Sequence, residues 1–370
     1  MRAQVAVSLA LAGALATGGA AGCKGKKAAA PPPPVPITAL AAIPADATAV
    51  VGLDIERLAR SRLVERAVAQ MFDRDPELRG KLTALAAACK LDLPTQVKQV
   101  HLALRQGDGP ARASLLVATG QFTEANLTRC LQAGAGGGEV TVRDLGGRSL
   151  YKLAAGPRAL YFGFGHDDTV VLGPDDAWVQ AALADGAKVE TSALLGPALA
   201  KVDRKAAMWA VATVNPELGL ALTRLSKGAI AAGPTLVAGT LDPLDGVRAS
   251  AEFTMTSAAD ARALADYAKG ELAMGTIAAQ ALGVGPALSK VAVAQEGTAV
   301  RFRVALTDAE VKDVLAAIDR GPSAGQDAQP AADADAGAPD APAAPTTPTT
   351  TTPTTTTAAP PALDAGADAR

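Results

Sequence analysis

Three cysteines, two histidines and a few hydroxyl-bearing motifs are the residues of this 370-residue chain with chemistry to offer. Gly321-Pro322-Ser323-Ala324-Gly325 matches the GxSxG pattern, in which a strand delivers a nucleophilic Ser to a helix start. A helix-patterned segment precedes this copy, and His101 and His166 both lie upstream, the reverse of the order that chemistry uses. Ser149 and Lys152 have SxxK spacing, which brings an amine to a hydroxyl only across one helical turn. Their segment alternates like a strand, where residues three apart point to opposite faces. Gly134 to Gly138 follows a helix and precedes a strand, the reverse of a phosphate-cradling loop, so a turn is expected. His166-Asp167-Asp168 carries cation-binding groups in the arrangement of a polar turn between strands. His101 alternates with Val100 and Leu102 and shares a strand face with Ala103 and Arg105, so a solvated or hydrogen-bonded sheet residue is expected there rather than a base. No catalytic residue, metal ligand or cofactor is expected from these patterns.

The third cysteine-bearing segment is of another kind. Met1 and Arg2 give a short basic start, Val5 to Ala16 form an apolar run of about 12 residues, and small residues continue to Gly22. A spanning helix needs about 20 strongly apolar residues, so residues 1–22 are expected to be a cleaved signal peptide. Ala20-Ala21-Gly22-Cys23 resembles the lipobox of bacterial lipoproteins, in which small residues precede a cysteine that is acylated and becomes the mature N-terminus. The resemblance implies lipidation at Cys23, with membrane lipid as a partner. Lys24, Lys26 and Lys27 suit an anionic headgroup layer, and Pro31 to Pro34 form a stiff spacer. Lys24 stands where inner-membrane lipoproteins of enteric bacteria tend to carry Asp, so the periplasmic side of the outer membrane is favoured over the inner membrane or the surface. Export places Cys89 and Cys130 in an oxidising compartment, where thiols close in space tend to pair. Cys130 shares an apolar helix face with Leu127 and Leu131, and Cys89 ends a helix suited to the same sheet. A Cys89–Cys130 disulfide is expected.

The elements that would position these residues are short. Ala49, Val51, Leu53 and Ile55 recur with the period of a strand. Ser61 caps a helix with the apolar stripe Val64, Ala67, Val68 and Met71, and Pro76 opens a second helix that ends near Cys89. Val100 to Arg105 and Ala113 to Thr119 read as a hairpin, followed by a helix capped by Thr123. Four further strands span Val140–Asp144, Ser149–Leu153, Ala159–Phe164 and Thr169–Leu172, and a helix from Trp178 closes this part. Met208 to Val214 starts a similar order, with Asn215-Pro216-Glu217 as cap and first turn. Val100–Ser114 aligns without a gap on Leu236–Ser250, Arg112-Ala113-Ser114 matching Arg248-Ala249-Ser250. A helix near Ser257, a hairpin around Glu296-Gly297 and a helix with the capping box Thr307-x-x-Glu310 follow. The uncharged stretch Ala273 to Leu288 is expected to be a buried helix and loop.

The expected fold is α+β, in two similar halves, each a mostly antiparallel sheet with helices covering one face. The divisions are 1–22, signal peptide; 23–38, anchor and spacer; 39–190 and 191–320, the two halves; 321–370, a tail of Pro, Thr, Ala and Asp. Leu363 is the only large apolar residue in that tail, so disorder is expected there. This order, beginning at Ile43-Pro44-Ala45-Asp46-Ala47, resembles uncharacterised predicted lipoproteins of myxobacteria and their relatives. The resemblance implies a shared envelope location and no activity.

With 35 Lys and Arg against 37 Asp and Glu, and no basic block, nucleic acid is excluded as a partner. Aromatics at 3% leave few stacking platforms for bases or sugars. The expected function is a non-catalytic, lipid-anchored envelope protein acting as a protein-interaction or structural module, with an envelope protein as partner. The alternative is a carrier of an apolar ligand held between helices and sheet; a periplasmic hydrolase would need a nucleophile and base that these motifs do not supply.

Overall fold

A computed structural model describes residue 37 and residues 39–89, 93–106, 113–121, 123–134, 139–155, 158–281 and 284–320. The expected signal peptide, Cys23, the spacer up to Pro36 and the tail from Gly321 lie outside the described residues, as do Arg112 and the Gly107–Pro110 turn. In chain order the first elements are β1 (Ala49–Asp54), α1 (Ile55–Ala59), α2 (Arg62–Arg74), α3 (Pro76–Cys89), α4 (Leu93–Gln96), β2 (Val97–Arg105), β3 (Ala113–Gly120) and α5 (Glu124–Gly134). Next come β4 (Glu139–Asp144), β5 (Ser149–Ala155), β6 (Arg158–His166), β7 (Thr169–Gly173), α6 (Asp176–Leu183) and α7 (Gly196–Leu199). The remainder are β8 (Met208–Thr213), α8 (Pro216–Leu225), β9 (Leu236–Asp242), β10 (Val247–Thr254), α9 (Ala258–Ala281), α10 (Gly285–Leu288), β11 (Ala292–Glu296), β12 (Ala299–Leu306) and α11 (Asp308–Arg320). Two 3-10 turns, Ala39–Ala42 and Val189–Thr191, complete the set.

The fold is α+β with a large antiparallel sheet. Among the described residues, all 12 strands join one sheet in the order β11-β12-β10-β9-β8-β1-β2-β3-β7-β6-β5-β4. The sheet expected in each half is therefore replaced by a continuous one, because β1 and β8 pair antiparallel, Val51 opposite Ala210 and Gly52 opposite Trp209. The cap residues work as their types require. Ser61 Oγ accepts from Val64 N (3.3 Å), Asn215 Oδ1 from Glu217 N (2.9 Å), and Ser257 Oγ from Asp260 N (3.1 Å). Thr307 and Glu310 form the full capping box, Glu310 Oε2 accepting from Thr307 N at 2.9 Å.

Strand alternation sorts the apolar side chains onto two faces. On one face Val50, Ala103, Leu115, Val117, Val171 and Val211 meet α6, α7 and the segment Ile37–Ala47 in the largest core. On the other, Phe253, Val300 and Phe302 pack under α9, and Ala118, Leu116 and Val170 under Leu127 of α5. Two expectations are corrected by this sorting. Ser114 shares its face with Leu116 and Ala118, whereas Ser250 lies opposite to Ala251 and Phe253, so the gapless alignment of Val100–Ser114 on Leu236–Ser250 does not pair equivalent positions. The Ala273–Leu288 stretch is not buried throughout: α9 leaves Met274 63% and Ile277 71% exposed.

A polar knot fastens the Ile37–Ala47 segment to the sheet. Asp46 Oδ1 accepts from the indole N–H of the buried Trp178 (2.9 Å), and Asp46 Oδ2 meets Arg105 Nη1 (3.0 Å). Arg105 also reaches Asp175, the N-cap of α6 (3.0 Å), and stacks its guanidinium over Trp178. Removing Asp46 would leave a buried indole donor unmatched. Asp46→Ala is expected to lower stability by about 1–3 kcal/mol, measured by urea unfolding; no change would show the knot to be ornamental.

Candidate functional site

Over the seam between β1 and β8 lies a cavity of about 340 Å³. Its floor is a cross-strand row, His101 of β2, Gly52 of β1 and Trp209 of β8, which are directly opposite one another. Gly52 sets the geometry, since a Cβ at that position would collide with the Trp209 ring. The indole can therefore lie flat on the backbone of β1, with the His101 ring 5.7 Å away. Leu53, Asp54, Gln99, Ala39, Leu40 and Ala41 also line it. Ala39 holds φ at +48°, a left-handed conformation that costs a non-glycine residue energy and gathers at ligand sites. Glu190 and Arg204 complete the mouth, paired at 2.8 Å.

His101 is 5% exposed, and its Nδ1 has no hydrogen-bond partner. Burial, with the Arg204 charge adding to it, holds the imidazole pKa at about 4. The ring is therefore neutral at neutral pH. The Trp209 indole N–H likewise donates no hydrogen bond to any described residue. The site thus offers an indole face, an indole N–H, a neutral imidazole and a guanidinium whose carboxylate partner occupies one edge.

The residues singled out in the sequence are scattered. Ser149 and Lys152 sit on β5, facing opposite sides, as the strand reading required. His166 Nδ1 meets Asp168 Oδ1 at 3.0 Å at the β6–β7 turn, with both side chains exposed. Among the described residues no cluster of three or more His, Cys, Asp or Glu is placed to hold a metal. Gly134 ends α5, and residues 135–138 and 321–325 lie outside the described residues. Cys130 is 3% exposed and disulfide-bonded. The Cys89 side chain and all of Cys23 lie outside the described residues, while α3, which carries Cys89, packs against α5. Sequence reasoning took His101 for a solvated or hydrogen-bonded sheet residue, which its burial and unpartnered Nδ1 correct, and it missed the cavity, whose partners come from segments far apart in the chain.

A second feature is α2. Its apolar stripe forms as a helix, yet none of its residues is buried, with Val68 39% and Met71 44% exposed. Among the described residues no helix is long and apolar enough to cross a membrane.

No family model and no curated protein matches the chain. Among solved structures, one titled "Structure of crystal form I of TP0453" is similar over 78% of this chain and 97% of that chain, at 8% identity and a TM-score of 0.41. Likeness at that level carries no functional argument.

The neutral burial of His101 has a pH signature. Its pKa falls from 6.5 to about 4 on folding, so between those values the unfolded chain binds the extra proton. Stability attached to this residue is full above 6.5 and is lost as pH falls toward 4, by up to roughly 3 kcal/mol. His101→Gln is expected to flatten the slope of unfolding free energy against pH across that window. Parallel slopes for the two proteins would contradict a buried neutral imidazole.

Proposed function

We propose that this chain is a non-catalytic, lipid-anchored envelope protein whose body is a protein-interaction module. The observation that carries this reading is α2, a helix with a defined apolar stripe and no buried residue. An amphipathic helix normally gains its stability by burying that stripe against a neighbour. Here the helix is held at its start instead, where Ser61 both caps it and donates to Pro243 O at 2.7 Å, leaving Val68 and Met71 presented to solvent. A helical face of this kind fits a groove on a protein partner. Anchorage at the periplasmic side of the outer membrane rests on the signal, the lipobox and the lysines after Cys23.

Two structural readings accompany it. From the seam outward, β1-β2-β3-β7-β6 in one direction and β8-β9-β10-β12-β11 in the other have the same connectivity. The helices after the third strand of each set, α5 and α9, cover the same face. This supports an internal duplication, about 46–186 and 206–320, with β4 and β5 as an addition and the alignment shifted to keep faces matched. Superposition of the two five-strand sets that failed to bring α5 onto α9 would refute it. The second reading is that Cys89 is the disulfide partner of Cys130. The bridge would close a loop of about 41 residues and contribute roughly 4 kcal/mol by the chain-entropy estimate.

Mass spectrometry of the native protein is expected to show an acylated N-terminal Cys23 and no alkylatable thiol until reduction, when Cys89 and Cys130 appear together. A free Cys89 or an unmodified Cys23 would contradict these assignments. For α2, Val68→Glu with Met71→Glu is expected to change stability by no more than about 0.5 kcal/mol, as for other surface substitutions. The same change should abolish an adduct formed by a photocrosslinker at Ala67. An adduct that survives the double substitution would refute α2 as the docking face.

A further inference from the structure

We infer that the cavity over the seam is a binding site for a small organic monocarboxylate with a flat apolar body. The body has a platform in the Trp209 indole, which Gly52 alone permits to lie against the β1 backbone. Leu40 and Ala41 add apolar atoms to the lining beside the indole, whereas the Leu53 side chain points to the other face of the sheet. The headgroup follows from the polar atoms. The indole N–H is a donor only, and the Arg204 guanidinium has further N–H donors beyond the one that meets Glu190. His101 is more than nine-tenths buried and has no hydrogen-bonded partner at Nδ1. Burying such a group without a partner costs free energy, which makes it a feature that calls for an explanation.

The sign of the charge is decided by competition. Asp54 and Glu190 are also at the site, but each carboxylate is engaged: Asp54 accepts from Arg57 N as the N-cap of α1, and Glu190 is neutralised by Arg204. The polar atoms left over at the site, the indole N–H and the remaining guanidinium N–H groups, are donors, which a cation cannot use. A carboxylate can instead share the guanidinium fork, which suits planar two-oxygen groups. The volume of 340 Å³ lies at the small end of ligand pockets, a fit for one ring with a short substituent.

The test uses the mature protein with 15N-labelled tryptophan, in which Trp178 and Trp209 give two indole N–H signals assigned through Trp209→Phe. Benzoate, benzamide and benzylamine are titrated to about 10 mM, a range suited to fragments of this size. Benzoate is expected to shift the Trp209 signal saturably, to leave Trp178 in place, and to bind tighter than either other probe. Arg204→Gln, a change at a half-exposed side chain, is expected to weaken benzoate by roughly tenfold or more. No shift at Trp209, equal response to benzamide, or a preference for benzylamine would each overturn the inference. So would unchanged benzoate affinity in Arg204→Gln.

Discussion

Between Ala49–Asp54 and Met208–Thr213 a ladder of backbone hydrogen bonds joins two strands that would otherwise be the edges of separate sheets. Both are apolar, AVVGLD and MWAVAT. Unpaired, each would present a row of free N–H and C=O groups beside exposed aliphatic side chains, a template for aggregation. Paired, they become the centre of the sheet, and its edges fall to β11 and β4, where most side chains are polar or small. The ladder extends past the strands, with Thr213 N donating to Thr48 O and Asp54 N to Ala207 O. The largest core then follows, because Val50 and Val211 come side by side and are sealed by Ile37–Ala47, α6 and α7.

The same seam makes the cavity. Only where β1 lies between β2 and β8 can Gly52 separate His101 from Trp209, and only glycine leaves room for an indole on that strand. The cavity and the main core therefore share one constraint. The Asp46 knot belongs to it as well, since it pins the segment that lines the cavity at Ala39–Ala41. In the sequence, Asp46 is part of the pattern that carried the resemblance to envelope lipoproteins; in the structure its carboxylate is a fastening for Trp178 and Arg105.

What the sequence disclosed was local. Cap residues Ser61, Thr123, Asn215, Ser257 and Thr307 mark helix starts through side-chain bonds to nearby N–H groups, which depend on a few neighbouring positions alone. Strand alternation was equally readable. Which face a layer covers was not, because alternation shows only which residues travel together. In β1 the series Ala49, Val51, Leu53 stands out by hydropathy, yet Val50 and Gly52 face the main core, and a glycine carries no signal of the indole that fills its place. The α2 stripe shows the converse, since amphipathic spacing declares that an apolar face exists and not that the chain itself covers it. The cavity was hidden for the reason the seam was: its walls come from β1, β2, β8 and two connecting segments, and no local pattern encodes their meeting.

Hydrogen exchange of backbone amides in β1 and β8 tests the seam most directly. If it binds both strand sets into one cooperative unit, amides of Val50–Leu53 and Trp209–Ala212 exchange only with global unfolding, at the same free energy as the protected amides of β3 and β10. Exchange of either seam strand at a distinctly lower free energy, with β3 or β10 still protected, would contradict it and show two halves that fold apart.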